Sequence, residues 1–213
     1  VEIDLYADVV CPWCYIGKRR LEQALESYDG EVTVRLRPFQ LDPSPVPEPL
    51  PVLEALGAKF GGAERARQML SQVTDVATGA GLTLRYDHAV AANTFDAHRL
   101  IWFAEQRDLA ALMSDALYQA HFVDGVDVGS RAALATVAAG IGLDETEVRA
   151  FLDSTAGEAE VRAALTEARE LGVRSVPTYV LAGKYEVTGA QEPETLLAAL
   201  AEVARREAAD QSS

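Results

Sequence analysis

Asp8-Val9-Val10-Cys11-Pro12-Trp13-Cys14 is the stretch from which the fold is read. Cysteines three residues apart are neighbours on one face of a helix. Pro12 suits the first helical position, where its missing N–H leaves no bond unmade, and Cys11 then falls at the cap. Upstream, Val1, Ile3 and Leu5 alternate with Glu2, Asp4 and Tyr6, which is strand periodicity. Downstream, a helical pattern runs to about Tyr28, and Asp29-Gly30 stops it. Val32, Val34 and Leu36 then alternate with Thr33, Arg35 and Arg37. Strand, helix and strand in such quick succession read as a βαβ unit.

Further out, Pro43, Pro45, Pro47, Pro49 and Pro51 exclude both helix and central strand, so this stretch reads as a crossover. Helical spacing then dominates, over segments near 52–60, 63–79, 94–107, 109–121, 130–140, 144–153 and 158–171. Asn93 followed by Asp96 predicts a capping-box-like start to one of them. Strand character returns at Thr178-Tyr179-Val180-Leu181 and from Tyr185 to Thr188, with Ala182-Gly183-Lys184 as the turn of a hairpin. A last helix is expected from Glu192 to Arg206, with Leu196, Leu197, Leu200 and Val203 on one stripe and Gln191 as its cap. The fold class is therefore α/β, a βαβ unit and a ββα unit combined into one layer, with an all-helical block inserted between them. The expected division is 1–48 plus 158–207 for the α/β unit, 49–157 for the insertion and 208–213 for a polar tail.

The chain of 213 residues carries a net charge of −14, from 19 basic and 33 acidic side chains. Acidity opposes binding to nucleic acid or to an anionic membrane, which needs clustered Lys and Arg. No stretch approaches the roughly 20 apolar residues of a membrane span. No secretory signal precedes the first strand, and the expected location is the cytoplasm; a cleaved signal would leave no trace in a chain beginning at Val1. A chain of this length buries a core without staples, so its 2 cysteines are not needed to hold it together.

Those cysteines are the chemical signal. Disulfide exchange needs a thiolate attacker and a second thiol that resolves the mixed disulfide. Cys11 at a helix N-terminus has free N–H groups and the helix dipole to favour its anion. Cys14 shares a stripe with Leu21, Leu25 and Tyr28, which should face the core and shelter the resolving thiol. A zinc half-site is the first alternative, but there is no second cysteine pair, and His88, His98 and His121 are scattered, so no metal is expected. An inert buried pair is the second. Val176-Pro177-Thr178 supplies a proline directly before a strand, either an edge residue or a cis proline.

Taken together, Cys11-Pro12-Trp13-Cys14, a helical insertion and Val176-Pro177-Thr178 resemble the DsbA branch of the thioredoxin superfamily. Cys14-Tyr15-Ile16-Gly17, Asn93-Thr94-Phe95-Asp96-Ala97-His98-Arg99-Leu100 and Gly189-Ala190-Gln191 look like its FrnE-like group, over about residues 1–205. The resemblance implies a thioredoxin-like fold interrupted by helices, Cys11 as nucleophile, Cys14 as resolver and a cis Val176–Pro177 peptide packed against them. It also implies that the backbone before Pro177 pairs with an extended substrate, a form of strand addition. Catalytic candidates are thus Cys11, Cys14 and Pro177. Pro12, Trp13, Val176, His98, Arg174 and Ser175 are substrate-binding candidates. For His98, on one helix face with Phe95 and Trp102, a packed hydrogen-bonded role stands beside one near the cysteines. For Arg174 and Ser175 a solvated loop is the alternative, and for Trp13 an exposed aromatic.

The function expected is thiol–disulfide oxidoreductase, acting on a protein or small thiol, with no tightly bound cofactor and glutathione as a candidate co-substrate. The runner-up is a glutathione-dependent transferase or isomerase of the kappa-class or 2-hydroxychromene-2-carboxylate isomerase type. Those enzymes need one Ser or Cys, so Cys14 discriminates against them. A non-catalytic binder, such as a chaperone or polyketide-pathway accessory protein, is the third reading.

Overall fold

The computed structural model describes residues 1–46 and 48–210; Pro47 of the proline-rich crossover and residues 211–213 of the tail lie outside the described residues. Both ends of the chain build one sheet. Strand β1 (Glu2–Ala7) leads to helix α1 (Pro12–Leu25) and strand β2 (Thr33–Pro38). β1 and β2 are parallel, with Glu2 opposite Thr33 and Ala7 opposite Pro38. On the other edge of β1 runs antiparallel β5 (Thr178–Leu181), with Tyr6 opposite Thr178, followed by its hairpin partner β6 (Tyr185–Thr188). The order β2-β1-β5-β6 places the strand that delivers the cysteines in the interior of the sheet.

Period-two alternation decides what covers each face. Ile3 and Leu5 pack with Tyr179 and Leu181 under Leu21 and Ala24 of α1 and Leu196, Leu200 and Val203 of α9 (Pro193–Asp210). Each fully buried aliphatic here contributes roughly 1.5–3 kcal/mol relative to exposure. Tyr6 points the other way, to Ala168 on α8 (Glu158–Glu170) and to Val173. The sheet is thus closed on both faces by helices.

Between β2 and α8 the chain makes two residue-pair strands, β3 (Leu50–Pro51) and β4 (Val90–Ala91), and helices α2 (Val52–Phe60), α3 (Ala63–Gly79), α4 (Phe95–Glu105), α5 (Ala110–Phe122), α6 (Arg131–Gly140) and α7 (Glu145–Asp153). Leu100, Phe103, Met113, Leu117, Leu134, Val148 and Leu152 form their separate core. Buried Arg99 of α4 ties that core together. Its guanidinium donates to the carbonyls of Phe151, Leu152, Ser154 and Ala156, where α7 ends without a helical partner for its last groups.

Four expectations are corrected. α1 ends at Leu25 rather than near Tyr28, because the N–H groups of Ser27 and Tyr28 close tighter turns onto Ala24 and Leu25. The Asn93–Asp96 capping box does not form. Asn93 Oδ1 accepts from the Phe95 N–H as an Asx turn, and Asp96 pairs with Arg99 and Arg131 instead. Gln191 does not cap α9; its amide donates to Thr188 O at 2.7 Å. Residues 208–210, expected in the tail, form the last turn of α9.

Candidate active site

The turn Asp8-Val9-Val10 carries the chain from the end of β1 to α1. The Cys11 N–H closes it onto Asp8 O at 3.1 Å. Cys11 is extended (φ −91°, ψ 113°) and caps α1, with Pro12 following at the first helical position. The N–H groups of Cys14 and Tyr15 both return to Cys11 O, at 3.1 and 3.2 Å. The local sequence therefore places one sulfur at the helix N-terminus and the next one turn along.

The expected contrast between an open and a sheltered thiol is reduced: Cys11 is 4% exposed and Cys14 0%, and both are free thiols. Cys11 is covered because the proline loop crosses the helix end, and its Sγ–H lies 3.9 Å from Val176 O. Burial first, then the hydrogen bond with Cys11 and the charges of Cys11 and Asp8, push the Cys14 thiol well above its usual range. The Asp8 N–H, 3.5 Å from Cys14 Sγ, pulls weakly the other way.

The Val176–Pro177 peptide is cis. Pro177 O accepts from Gly189 N at 2.8 Å, and the Thr178 hydroxyl donates to Ser175 O at 2.8 Å, so the loop is held from both sides. Helix α1 approaches it at Gly17, where a Cβ would stand 2.7 Å from Pro177 Cγ and 2.5 Å from the Tyr179 hydroxyl. No other residue fits that approach unchanged. Around the sulfurs stand Val73, Ala77, Ala80 and Leu84 of the α3 region, Tyr118 and Phe122 of α5, and Tyr86. Tyr15 stacks on Tyr118 at 4.8 Å between ring centroids.

Among the substrate-binding candidates, Trp13 is 42% exposed beside the cysteines and Pro12 and Val176 are half-buried. Arg174 and Ser175 are exposed on the proline loop. His98 is buried and hydrogen-bonded, the first of the two roles open to it. Its Nε2 lies 3.0 Å from Phe39 O and 3.2 Å from Asp8 Oδ1, and since both are acceptors this nitrogen carries the hydrogen. It reaches Cys14 only through Asp8, whose other oxygen accepts from Leu41 N at 2.8 Å. Among the described residues no group of three or more His, Cys, Asp or Glu is placed to hold a metal ion.

Sequence reasoning missed several residues that set this geometry. Lys18, buried on α1, pairs with Glu22 and with Asp115 of α5 at 2.5 Å, joining the cysteine helix to the insertion. Arg20 donates to Ala190 O and meets Glu192, each at 2.6 Å, and so fixes the Gly189-Ala190-Gln191 turn against α1. The spacing of Lys18 to Glu22 is a helix-pair signal. The long-range partners carry no local signal at all.

Comparison with known proteins places this geometry. A crystal structure of a probable DsbA oxidoreductase from Streptomyces coelicolor is 38% identical, with a TM-score of 0.89 over 95% of this chain and 89% of its own. The cytosolic disulfide reductase DsbM of Pseudomonas aeruginosa, solved with glutathione, is similar at 21% identity and a TM-score of 0.69, over 96% and 100% of the two chains. A 2-hydroxychromene-2-carboxylate isomerase is 21% identical with a TM-score of 0.72, over the whole of both chains. The latter two likenesses are of fold alone. No helix is long and apolar enough to cross a membrane among the described residues. The DSBA-like thioredoxin domain family matches residues 2–201, and the chain belongs to it.

Proposed function

We propose that this protein is a thiol–disulfide oxidoreductase in which Cys11 attacks and Cys14 resolves. The observation that carries the reading is the pairing of two free thiols on one turn of α1: Cys11 caps the helix against the Val176 carbonyl, and Cys14 lies one turn behind it. A thiolate at Cys11 attacks one sulfur of a substrate disulfide, forms the mixed disulfide and expels the other sulfur as a thiolate. Cys14 then loses its proton and attacks Cys11 Sγ, which forms the Cys11–Cys14 disulfide and releases the second substrate thiolate. The substrate is reduced by two electrons and the protein is oxidised by two. Two glutathione molecules return the pair to the dithiol and leave as one glutathione disulfide, and the reverse sequence oxidises a dithiol substrate.

Residues 1–48 and 158–207 make up the catalytic unit in this reading, and 49–157 its inserted cover. Pro12, Trp13, Val176 and Pro177 form the rim that meets substrate, with Arg174 and Ser175 on its outer edge. The Val176 carbonyl, released when the Cys11 proton leaves, accepts an N–H from an extended substrate. In the cytoplasm, where reducing conditions prevail, the cycle runs towards reduction of substrate, with glutathione as donor.

A glutathione redox titration, followed by Trp13 fluorescence and thiol trapping, tests this. A reversible two-electron transition is expected, and Cys11→Ser should bring turnover to background. A Cys14→Ser protein fully active with glutathione and a small electrophile would instead establish the transferase or isomerase reading.

A further inference from the structure

Polar side chains buried without a hydrogen-bond partner fall into two sets. The hydroxyls of Tyr86 and Tyr179 and Nδ1 of His121 are sealed in by their neighbours, with no partner among the described residues. The second set shares a cavity. His98, Ser114 and Tyr118 are 5%, 3% and 1% exposed, and all three line one cavity behind the Asp8 turn. Among the described residues, Nδ1 of His98 and the hydroxyls of Ser114 and Tyr118 make no hydrogen bond; the ring contacts of His98 are made by Nε2. Neither bonded nor sealed, these three atoms face the cavity.

The cavity lies in the seam between the two halves of the molecule. Ala7, Leu36 and Pro38 of the sheet line one side, Ile101 of α4 and Val161 of α8 the other, and exposed Glu105 and Glu160 mark its outer end. About 70 Å³ is open to the centres of water molecules. One water needs roughly 10–15 Å³ of such space. Ser114 shows that the arrangement is no by-product of helix geometry. A hydroxyl within a helix can bond the carbonyl four residues back, as Thr74, Thr78, Thr136 and Thr166 do here. Ser114 leaves that bond unmade and turns into the cavity. His98 presents a bare acceptor there, because its hydrogen sits on Nε2 between Phe39 O and Asp8 Oδ1. The hydroxyls can donate and accept, and the ring nitrogen can only accept, so the occupant must do both.

We infer that this cavity is a binding site for a fixed cluster of water, which bonds His98 Nδ1, Ser114 Oγ and Tyr118 Oη and joins the sheet half to the helical half through solvent. Water meets each requirement: it donates to the ring nitrogen, exchanges hydrogen bonds with both hydroxyls, and is small enough for several molecules to enter. An apolar guest would leave all three polar groups buried and unsatisfied. The cluster makes Ser114 and Tyr118 positioning residues. By occupying Nδ1 it keeps the His98 hydrogen on Nε2, and so keeps the ring on the carboxylate of Asp8, whose own N–H lies 3.5 Å from Cys14 Sγ. The inference is independent of the reaction that the cysteines perform.

A high-resolution crystal structure of the whole chain, with and without pressurised xenon, tests the site directly. The expected result is ordered solvent within hydrogen-bond distance of all three atoms and no xenon in the cavity, since xenon enters apolar cavities that stay dry. Xenon bound there, or no ordered solvent on the three atoms, would overturn the assignment. Thermal unfolding of Ser114→Ala separates the two cases by sign. With water bonded, loss of the hydroxyl lowers the midpoint by about 2–4 °C. With a dry cavity the midpoint holds or rises, because an unsatisfied group has gone, and that outcome too would overturn it. The positioning role has its own signature in the imidazole nitrogen resonances of His98. In Ser114→Val, whose methyls displace the solvent, the Nδ1 resonance should move to that of an unbonded acceptor. An unmoved resonance would show that no water holds the ring.

Discussion

The sheet half and the helical half of this molecule hold the cysteines by different means. In the sheet half, main chain does the positioning: the β1–β5 register, the extended cap at Cys11, the cis peptide before Pro177 and a glycine where α1 meets that loop. In the helical half, side chains do it: Arg99 reaches four carbonyls, Lys18 is met by Asp115, and Tyr86, Tyr118 and Phe122 wall the sulfurs. The contrast teaches where each half is fragile. One loses its geometry when a side chain is removed, and the other when a side chain is added.

Arg99 is the severest test of the first case. Its side chain is fully buried, and Arg99→Met would remove the charge and the side-chain donor to the Leu152, Ser154 and Ala156 carbonyls, while the Phe151 carbonyl keeps Ser154 and Asp96 keeps Arg131. Stripping one partner from a buried polar network costs about 3–5 kcal/mol. Urea denaturation should therefore show a loss of that size. A change below about 1 kcal/mol would mean that the carbonyls find water, and that the helical half is not held by this arginine.

His121 gives a smaller effect with a pH signature. Burial, offset slightly by Asp8, depresses its pKa from the usual 6.5 to about 4. A depressed folded-state value means stability that is fully present above pH 6.5 and lost as the pH falls through about 4. The shift amounts to about 3 kcal/mol at its limit. In His121→Leu the orphaned Nδ1 is gone as well, so stability at pH 7 should hold or rise, and the decline between pH 6.5 and 4 should flatten. An unchanged acid limb, read by denaturation at stepped pH, would move the sensitivity to the carboxylates.

How much of this was legible beforehand follows the same division. Helices α2 and α3 occupy 52–60 and 63–79 as their spacing predicts, because Gly61 and Gly62, both at positive φ, end one and begin the other in a way that local chemistry dictates. The alternation of Ile3 and Leu5 likewise assigned the core face of β1. The placement of His98 was not legible, since a histidine beside Phe95 and Trp102 looks alike whether it meets substrate or the buried carboxylate of Asp8, 90 residues away. Tyr86 gave no signal, because an unpaired hydroxyl is a property of the folded cluster rather than of any periodicity. Asn93 and Asp96 had the spacing of a capping box, but Arg99, one turn on along α4, and Arg131, 35 residues away, outcompeted the local bond.

Gly17 tests the opposite case, where the sheet half cannot accept a side chain. It lies mid-helix, where alanine is intrinsically better by about 1 kcal/mol, so propensity alone predicts that Gly17→Ala stabilises. The structure predicts the reverse. The new methyl would stand 2.5 Å from the Tyr179 hydroxyl and 2.7 Å from Pro177 Cγ, and the proline ring has no flexible end to swing away. Overpacking of this kind costs about 1–3 kcal/mol, which outweighs the propensity gain across most of that range. Relief requires α1 and the proline loop to part, which carries Cys11 away from Val176 O. Gly17→Ala should therefore lose exchange activity out of proportion to its stability, with both thiols still present and titratable. Equal activity at equal stability would show that the loop yields freely, and that the main-chain geometry of the sheet half is less exacting than the side-chain geometry of the helices.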